Sequence, residues 1–200
     1  RDNITYAFCK IIVKKDKISD SIPNFYKSVT FKTQRLPVKG FDTIFLRQNP
    51  PLLNTMLNFL DSVKDDTIII NDIDGLRKAS NKIYTTSFDN DHSFIPETHV
   101  SKDIDYLESV VNECAADKLI LKPLDGFGGA GVIVIETKAK ANIRSLLEFY
   151  VGNDSKNYVI LQEYIEGAVN GDIRVLMLNG EPIGAMKRIP KAGDVRSNVH

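Results

Sequence analysis

Residues 117–136 form the stretch that most restricts how this chain can fold. They read DKLILKPLDGFGGAGVIVIE, so two apolar runs flank a loop with four glycines in six residues. Because glycine has no side chain, backbone N–H groups in such a loop can approach a bulky anion closely, and phosphate is the anion that most often needs this. Four glycines exceed what the turn and bulge of a plain β-hairpin require. The stretch therefore predicts a strand, a phosphate-binding loop and a second strand, with a plain hairpin as the alternative.

The residues around the loop separate it from other phosphate-binding motifs. Gly126, Gly128 and Gly131 match G-x-G-x-x-G, but in a dinucleotide-binding fold these glycines open a helix, whereas here the β run VIVIE follows. No lysine follows the glycines as a P-loop requires, and the kinase motifs H-R-D and D-F-G are absent from the sequence. Lys122 instead precedes the loop, and Lys82 is expected near the end of the preceding helix. This order favours a glycine-rich flap over a triphosphate.

Composition narrows the class of protein. The chain has 200 residues, 42% of them hydrophobic, which is enough for a substantial core. Its 26 basic and 26 acidic residues cancel, so nothing in the charge balance argues for a nucleic-acid or membrane surface. Cys9 and Cys114 are far apart and suit a reducing compartment, with Cys114 interpreted as a small core residue. The apolar runs are too short for a membrane span, so we expect a globular cytoplasmic protein.

Periodicity predicts a βαβ unit ahead of the glycine loop. Residues 41–51 indicate a strand that ends in a proline-marked loop, 52–64 show helical spacing of apolar residues, and 67–72 indicate a second buried strand. This order of elements implies parallel pairing. The first forty residues show only weak strand patterns.

Further elements are predicted along the rest of the chain. One helix is expected over 73–88, and Ser101 is the expected N-cap of another within 101–116. Asn179-Gly180 lies between two apolar-rich runs and is a strong hairpin signal. The remaining elements are a helix over 139–150 and a strand over 157–165.

Taken together, these features resemble the ATP-grasp ligases and, within them, the bacterial glutathione synthetase family. LKPLDGFGGAGV is similar to that family's K-P-L-D-G-x-G-G signature, QEYI to its hinge beside adenine, and GDIRVLMLNGEPIGAMKRIPKAGDVRSN to its active-site hairpin. FLRQNPP and NKIYTT resemble its R-x-D-P-P and lysine-bearing segments, with Gln48 and Asn49 replacing the usual pair. The likeness runs from about residue 40 to the end of the chain.

The resemblance implies an α/β fold of the ATP-grasp type. A parallel βαβ domain over 1–80 would precede the ATP-grasp lid over 81–163, which carries the glycine loop, and the start of the catalytic domain over 164–200. We also expect an internal piece of a longer protein. The family's opening βα unit would lie before Arg1, and its ligands for Mg²⁺ would lie beyond His200.

The same resemblance implies an ATP-dependent ligase that uses Mg²⁺ or Mn²⁺. The C-terminal carboxylate of γ-glutamylcysteine would attack the γ-phosphate of ATP, and the amine of glycine would then displace phosphate from the acyl phosphate to give glutathione. These small molecules are the expected partners. The resemblance also allows a homo-oligomer, and neither nucleic acid nor membrane is an expected partner.

Such chemistry needs positive charge where negative charge accumulates. By the resemblance, Lys82 and Lys122 would hold the α- and β-phosphates, the glycine loop would exclude water, and residues 161–165 would meet adenine. The expected ATP-contacting residues are Lys82, Lys122, Asp125, Gly126, Phe127, Gly128, Gly129, Gln162, Glu163, Tyr164, Ile165 and Asp172.

The other expected site residues are arginines and one asparagine. Asp172 and Arg174 share a face by strand alternation, and Arg188 returns on the second strand of the hairpin. The resemblance implies that Arg174 and Arg188 stabilise the transition state, and solvent-facing charges are the alternative. Substrate contacts are expected from Arg47, Arg196 and Asn198.

Other interpretations remain open beside the leading one. The chain could belong to another ATP-grasp carboxylate–amine ligase, to an ATP-binding module without catalysis, or to an α/β protein without a ligand. By the resemblance, the metal ligands would lie beyond His200, so none is expected within the chain itself. His92, His99 and His200 show no metal-ligand spacing and are interpreted as ordinary.

Overall fold

The computed structural model describes residues 4–15, 21–49, 51–88, 94–124, 126 and 128–191. The chain divides into two compact units, Arg1–Lys78 and Ala79–His200. Among the described helices, none has both the length and the apolar character needed to cross a bilayer.

The first unit opens with a hairpin-like ribbon that the sequence only hinted at. Strands β1 (Tyr6–Lys15) and β2 (Val29–Pro37) pair antiparallel, and helix α1 (Ile22–Ser28) precedes β2. A short 3₁₀ turn over Val38–Gly40 follows. Exposed apolar residues such as Phe8 on β1 weaken the alternation of buried and exposed positions from which strands are predicted.

The predicted parallel βαβ unit is confirmed in the rest of the first unit. Strand β3 (Thr43–Phe45) pairs parallel with β4 (Ile68–Ile70), and helix α2 (Asn54–Asp61) connects them. Leu57 is buried on the inner face of α2, as its helical spacing predicted. Parallel pairing brings the carboxyl ends of both strands to one edge of the sheet.

The predicted single helix over 73–88 is wrong, because two helices cover this stretch. Helix α3 (Ile73–Ala79) ends before Ser80, and a separate 3₁₀ helix spans Lys82–Phe88. The side chain of Asn81 accepts a hydrogen bond from the Ile83 N–H at 2.9 Å. Such a side chain competes with the helical backbone and starts a new turn. Lys82 therefore begins a helix instead of ending one.

A four-stranded antiparallel sheet organises the second unit. Its strands are β5 (Thr98–Ser101), β6 (Lys118–Pro123), β7 (Ile133–Glu136) and β8 (Val159–Glu163), in the spatial order β5-β8-β6-β7. The antiparallel strands on either side of the glycine loop, β6 and β7, are confirmed.

Two helices cover one face of this sheet, namely α4 (Ile104–Glu113) and α5 (Ile143–Val151). The predicted Ser101 cap of α4 is wrong, because Asp103 is the N-cap and its carboxylate accepts from the Tyr106 N–H at 3.1 Å. Ser101 instead accepts from the Asp103 N–H, which holds the turn before the helix. The predicted core position of Cys114 is supported, since this residue packs against the core at the end of α4.

Strand alternation gives the sheet two different faces. Leu119, Leu121, Val159 and Leu161 are buried against the helices in the main core. The alternate positions on β6 and β8 therefore point to the opposite face. Those positions are Ile120, Lys122, Ile160 and Gln162.

The second unit ends, within its described part, in the predicted hairpin. Strands β9 (Asp172–Leu178) and β10 (Glu181–Arg188) pair antiparallel around Asn179 and Gly180, whose φ angles are 50° and 84°. Two positive φ angles are what the tight hairpin turn requires, so the Asn-Gly prediction is confirmed. Short 3₁₀ turns lie over Asn153–Ser155 and Glu166–Asn170.

Candidate functional site

Lys122 lies on β6 and faces away from the helices of the second unit. Its β6 neighbour Leu121 is buried in the core, so alternation turns the lysine to the other side of the sheet. The half-buried Lys122 Nζ donates to Gln162 Oε1 at 2.6 Å. The lysine therefore has a fixed partner instead of a mobile, solvated end.

Lys82 reaches the same end of β6 from the 3₁₀ helix. Its Nζ donates to the carbonyl oxygens of Pro123 at 2.8 Å and Leu124 at 3.1 Å. Burial lowers the pKa of Lys122, and the nearby positive charge of Lys82 lowers it further. Two ammonium groups from separate segments thus share one location, and an anion there would relieve their repulsion.

Both lysines line a cavity of about 180 Å³. Val100, Ile160 and Ile95 give it apolar walls, while Gln162 and the two lysines supply polar groups. A wider opening of about 620 Å³ shares residues Ile95 and Thr98 with this cavity and extends to Glu163 at the end of β8. Apolar walls with a few convergent polar groups are typical of small-molecule sites.

A second cavity, of about 500 Å³, lies beside the other face of the sheet and suits an anion poorly. The carboxylates of Glu97, Glu113 and Glu163 line it together with His99. His99 contacts Tyr106 through Nδ1 at 2.9 Å and Glu97 through Nε2 at 3.3 Å. Three carboxylates would repel a phosphate, so the lysine-lined cavity is the better candidate.

The glycine loop begins beside Lys82 and ends beside Tyr150. A Cβ atom added to Gly126 would lie 3.6 Å from Lys82 Nζ, which shows how closely the loop backbone approaches the amine. Gly131 has a φ of 70°, and a Cβ there would lie 3.1 Å from the Pro123 ring. Tyr150 Oη donates to the Gly131 carbonyl at 3.0 Å, and burial raises the pKa of Tyr150. Both ends of the loop are therefore held against β6 and α5.

Gly128 and Gly129 lie within the loop and also adopt positive φ, at 65° and 77°. L-residues other than glycine rarely adopt this conformation, so the loop needs these glycines for its backbone path. The predicted loop residues Asp125 and Phe127 lie outside the described residues.

Gln162 links Lys122 to Thr98, a residue that was not predicted from the sequence as part of the site. Its Nε2 donates to Thr98 Oγ1 at 2.6 Å, and the Thr98 hydroxyl lies 2.6 Å from the Pro96 carbonyl, to which it donates. Thr98 and Gln162 are separated by 64 residues along the chain. No local pattern could pair them, because their contact depends on β5 lying next to β8.

The predicted adenine-side segment divides between the two faces of the sheet. The Leu161 side chain is fully buried in the helix-packed core and does not line the lysine-lined cavity, so a contact between adenine and this residue stays a prediction. Ile160 supplies an apolar wall of the lysine-lined cavity in its place. Beyond the strand, Tyr164 packs under Lys118, whose Nζ lies 5.3 Å from the ring centroid, and Ile165 is exposed.

Glu163 at the end of β8 is bonded to the segment before β5. Its backbone N–H donates to the Glu97 carbonyl at 2.9 Å, and its carboxylate accepts from the Glu97 N–H at 3.4 Å. The end of β8 is therefore held in place by its neighbour strand.

The hairpin brings three predicted site residues onto one face. Asp172 lies opposite Arg188 in the register, and Arg174 lies opposite Met186. The Arg188 guanidinium donates to both Asp172 carboxylate oxygens at 2.6 Å. Arg174 is exposed. Arg188 therefore has its orientation set by a bidentate ion pair.

Arg47 follows the carboxyl end of β3 in the first unit, as expected from its sequence position. It is exposed, and its guanidinium carbon lies 5.8 Å from the Phe45 ring centroid. Arg196 and Asn198, like His92 and His200, lie outside the described residues.

The lysine-lined cavity combines three features suited to a phosphorylated ligand. It has two cations, apolar walls that could hold a planar ring, and a glycine loop that begins beside Lys82. Over the described ranges, no group of three His, Cys, Asp or Glu side chains is placed to hold a metal ion.

Comparison with known proteins assigns both parts of the chain to one family. Residues 81–200 match the prokaryotic glutathione synthetase ATP-grasp domain, and residues 1–77 match the prokaryotic glutathione synthetase N-terminal domain. The glutathione synthetase of Agrobacterium fabrum is 36% identical over 170 residues, which cover 84% of this chain and 51% of that protein. The glutathione synthetase of Thermosynechococcus vestitus is 35% identical over 167 residues, which cover 82% of this chain and 50% of that protein. The chain thus spans about half the length of the curated relatives it matches.

Solved structures support the fold. A crystal structure of the D-cycloserine synthetase DcsG superposes with a TM-score of 0.56 at 20% identity, over 68% of this chain and 47% of that one. The crystal structure of a RimK domain ATP-grasp protein from Sphaerobacter thermophilus superposes with a TM-score of 0.52 at 18% identity. The match covers 67% of this chain and 49% of that one. The mixed α/β fold of the chain is therefore of the ATP-grasp type.

Proposed function

The chain belongs to the prokaryotic glutathione synthetase family. We propose that it binds ATP and serves in an ATP-dependent ligase that joins γ-glutamylcysteine to glycine. The main support for this proposal is that Lys82 and Lys122 converge at the end of β6, beside the glycine loop. At about 4 Å, one lysine–phosphate contact is worth roughly 4 kcal/mol before desolvation, with an effective dielectric near 20.

The cavity residues suggest how the nucleotide would be held. Lys82 and Lys122 would bind the α- and β-phosphates, and the backbone N–H groups of the glycine loop, with Asp125 and Phe127 in it, would cover them. The adenine would lie against Ile160 and near the segment Gln162–Ile165. Asp172 would complete the nucleotide site through the hairpin.

The proposed ligase reaction has two steps. A carboxylate oxygen of γ-glutamylcysteine attacks the γ-phosphorus, the bond to the β-phosphate oxygen breaks, and ADP leaves. The glycine amine then attacks the acyl phosphate, loses a proton, and displaces inorganic phosphate to form the peptide bond. Arg174 and Arg188 would stabilise charge on the transferred phosphoryl group, and the Asp172 ion pair would orient Arg188.

Substrate binding and the metal complete the proposal. Arg47, Arg196 and Asn198 would contact the acid substrate or glycine. When bound, Mg²⁺ or Mn²⁺ would neutralise negative charge on the phosphate groups.

We also propose the domain arrangement and setting of the protein. Residues 1–80 would form the N-terminal domain, 81–163 the lid subdomain and 164–200 the start of the catalytic domain. The division between Lys78 and Ala79 supports the first of these boundaries. A cytoplasmic location and a homo-oligomeric state complete this proposal.

The proposal is tested by nucleotide binding and by phosphate release. ATP affinity is measured by calorimetry for wild type, Lys82→Met and Lys122→Met, with the exposed Lys140→Met as the matched control. We expect each site variant to bind ATP at least tenfold more weakly, because each loses one charged phosphate contact. Lys140→Met should bind as wild type does.

Phosphate release is then followed with ATP, γ-glutamylcysteine and glycine, omitting one at a time. Release that needs all three supports the ligase, and release with a different acid or amine indicates another ATP-grasp ligase. ATP binding without release under any combination would indicate a binding module. Equal ATP affinity in all four proteins would contradict the assignment of the site.

A further inference from the structure

We propose that Thr98 is a positioning residue, which fixes the amide of Gln162 so that its oxygen faces the Lys122 ammonium. The expected change in ATP affinity when Thr98 is substituted rests on the proposed function. The expected change in the pKa of Lys122 does not. None of the sequence motifs includes Thr98, which lies on β5, the edge strand farthest from the glycine loop.

The Thr98 hydroxyl has a single proton to donate. The Pro96 carbonyl can only accept, and it lies 2.6 Å from Thr98 Oγ1, so the hydroxyl proton is committed to this bond. Oγ1 is then left as an acceptor. The amide nitrogen of Gln162, at 2.6 Å, must be the donor to it.

The orientation of the Gln162 amide follows from this bond. An amide has one oxygen and one NH₂ group at its two ends, so fixing the nitrogen toward Thr98 turns the oxygen toward Lys122. Gln162 Oε1 accepts from Lys122 Nζ at 2.6 Å. In the flipped orientation, NH₂ would face an ammonium group, placing two donors against each other with no bond.

The strand register places Thr98, Gln162 and Lys122 next to one another on one face of the sheet. Thr98 is the direct β5 partner of Gln162, and Ile120 is its direct β6 partner. Lys122 is therefore the diagonal neighbour of Gln162 on the same face, within reach of a long side chain. All three polar side chains are partly buried, so water cannot freely replace a lost bond.

A Thr98→Val substitution keeps the shape of the side chain and removes its hydrogen bonds. The Gln162 amide is then free to turn, and the ammonium form of Lys122 loses its fixed acceptor. The positive charge of Lys82, which already lowers the pKa of Lys122, is unchanged in this variant. We therefore expect the pKa of Lys122 to fall further in this variant and ATP affinity to fall about five- to tenfold.

The experiment compares wild type with Thr98→Val, Thr98→Ser and Gln162→Met. The pKa of Lys122 is followed without nucleotide by NMR titration of lysine labelled at Cε, with the signal assigned by its loss in Lys122→Arg. Thr67→Val is the matched control, because the buried Thr67 hydroxyl has no hydrogen-bond partner among the described residues. ATP affinity is measured on the same proteins.

The proposal expects a lower Lys122 pKa in Thr98→Val and in Gln162→Met, with wild-type behaviour in Thr98→Ser and Thr67→Val. A protein that carries both Thr98→Val and Gln162→Met should show no larger shift in the Lys122 pKa than Gln162→Met alone, because both changes break one chain of bonds. An unchanged Lys122 pKa in Thr98→Val overturns the proposal. If Thr98→Val does not fold, an unchanged value in Gln162→Met overturns it equally. Failure of wild type to bind ATP would contradict the proposed function, while the titration would still decide the role of Thr98.

Discussion

The four-stranded sheet and the β9–β10 hairpin both carry predicted site residues, but they hold them by different means. In the sheet, Leu147 of α5 is fully buried against the strands, and Lys122 emerges on the opposite face from the same strand as the buried Leu121. In the hairpin, Leu176 is 44% exposed and Ile173 is 70% exposed. The sheet positions its site through a packed core, and the hairpin has no such core among the described residues.

The difference shows what orients each functional side chain. On the sheet, register and core packing place Gln162 and Lys122 within hydrogen-bond distance. On the hairpin, the tight turn and the Asp172–Arg188 ion pair set the geometry, and Gly171 allows the strands to meet at its base. Truncation of apolar side chains should therefore destabilise the sheet far more than the hairpin. Substitution of a glycine that needs a positive φ should have its largest effect on the hairpin.

The largest effect is expected from Leu147→Ala. The side chain is 0% exposed, so its loss leaves a cavity and should lower the free energy of unfolding by about 2–5 kcal/mol. Leu176→Ala in the hairpin is the matched control and should change it by less than about 0.5 kcal/mol. Urea denaturation measures both, and equal losses would show that the hairpin has a packed core of its own.

The next largest effect is expected from Gly171→Ala at the base of the hairpin. Gly171 has a φ of 95°, and an added Cβ would collide with the Arg188 carbonyl oxygen. Strain of this kind costs about 1–3 kcal/mol, so we expect faster amide exchange across β9 and β10. Gly184→Ala meets open space and should leave exchange unchanged. Protection as in wild type after Gly171→Ala would mean that the base of the hairpin can relax.

A smaller, pH-dependent effect is expected on the sheet side. Because burial and Lys82 lower the pKa of Lys122 from its ordinary value of 10.5, its ammonium loses a proton at a lower pH than an exposed lysine does. ATP affinity should therefore weaken as pH rises through the lowered pKa, by about tenfold. Lys122→Arg, which stays charged, should flatten this decline. Calorimetry from pH 7 upward measures it, and identical profiles would exclude Lys122 as the titrating group.

Without nucleotide, the contribution of Lys122 to the free energy of unfolding should change with pH in the direction opposite to ATP affinity. Between the lowered folded-state pKa and the ordinary value, the unfolded chain holds a proton on Lys122 that the folded chain does not. The free energy of unfolding contributed by this group therefore rises with pH across that window, and it is lower below the folded-state pKa. A fall in this contribution over the same window would contradict the burial of Lys122.

The smallest effect is expected from Tyr150→Phe, which removes the donor to the Gly131 carbonyl. One neutral hydrogen bond is worth about 0.5–1.5 kcal/mol, and the loop end should exchange its amide protons faster. Tyr158→Phe is the control, since its ring contacts Lys102 and keeps that contact. Unchanged exchange at Val132 would show that the Pro123 contact alone holds this end of the loop.

Local signals predicted several elements of the fold correctly. The Asn179-Gly180 turn and the parallel βαβ unit were predicted because each depends on residues close in sequence. The long helix over 73–88 was wrong because Asn81 competes locally with the helical backbone. The lining of the lysine-lined cavity was predicted less completely, since Lys122 and Gln162 were among the expected site residues while Thr98 and Ile160 were not.

The sequence by itself determined the glycine loop between two strands, the Lys122 position before it, and the family, because these depend on backbone preference and on short motifs. Only the tertiary structure decided that Lys82 reaches the Pro123 carbonyl and that Thr98 meets Gln162, across 41 and 64 residues of chain. Those contacts follow from the strand order β5-β8-β6-β7 and from which face packs against α4 and α5. Strand order depends on packing between distant segments, which no local pattern records.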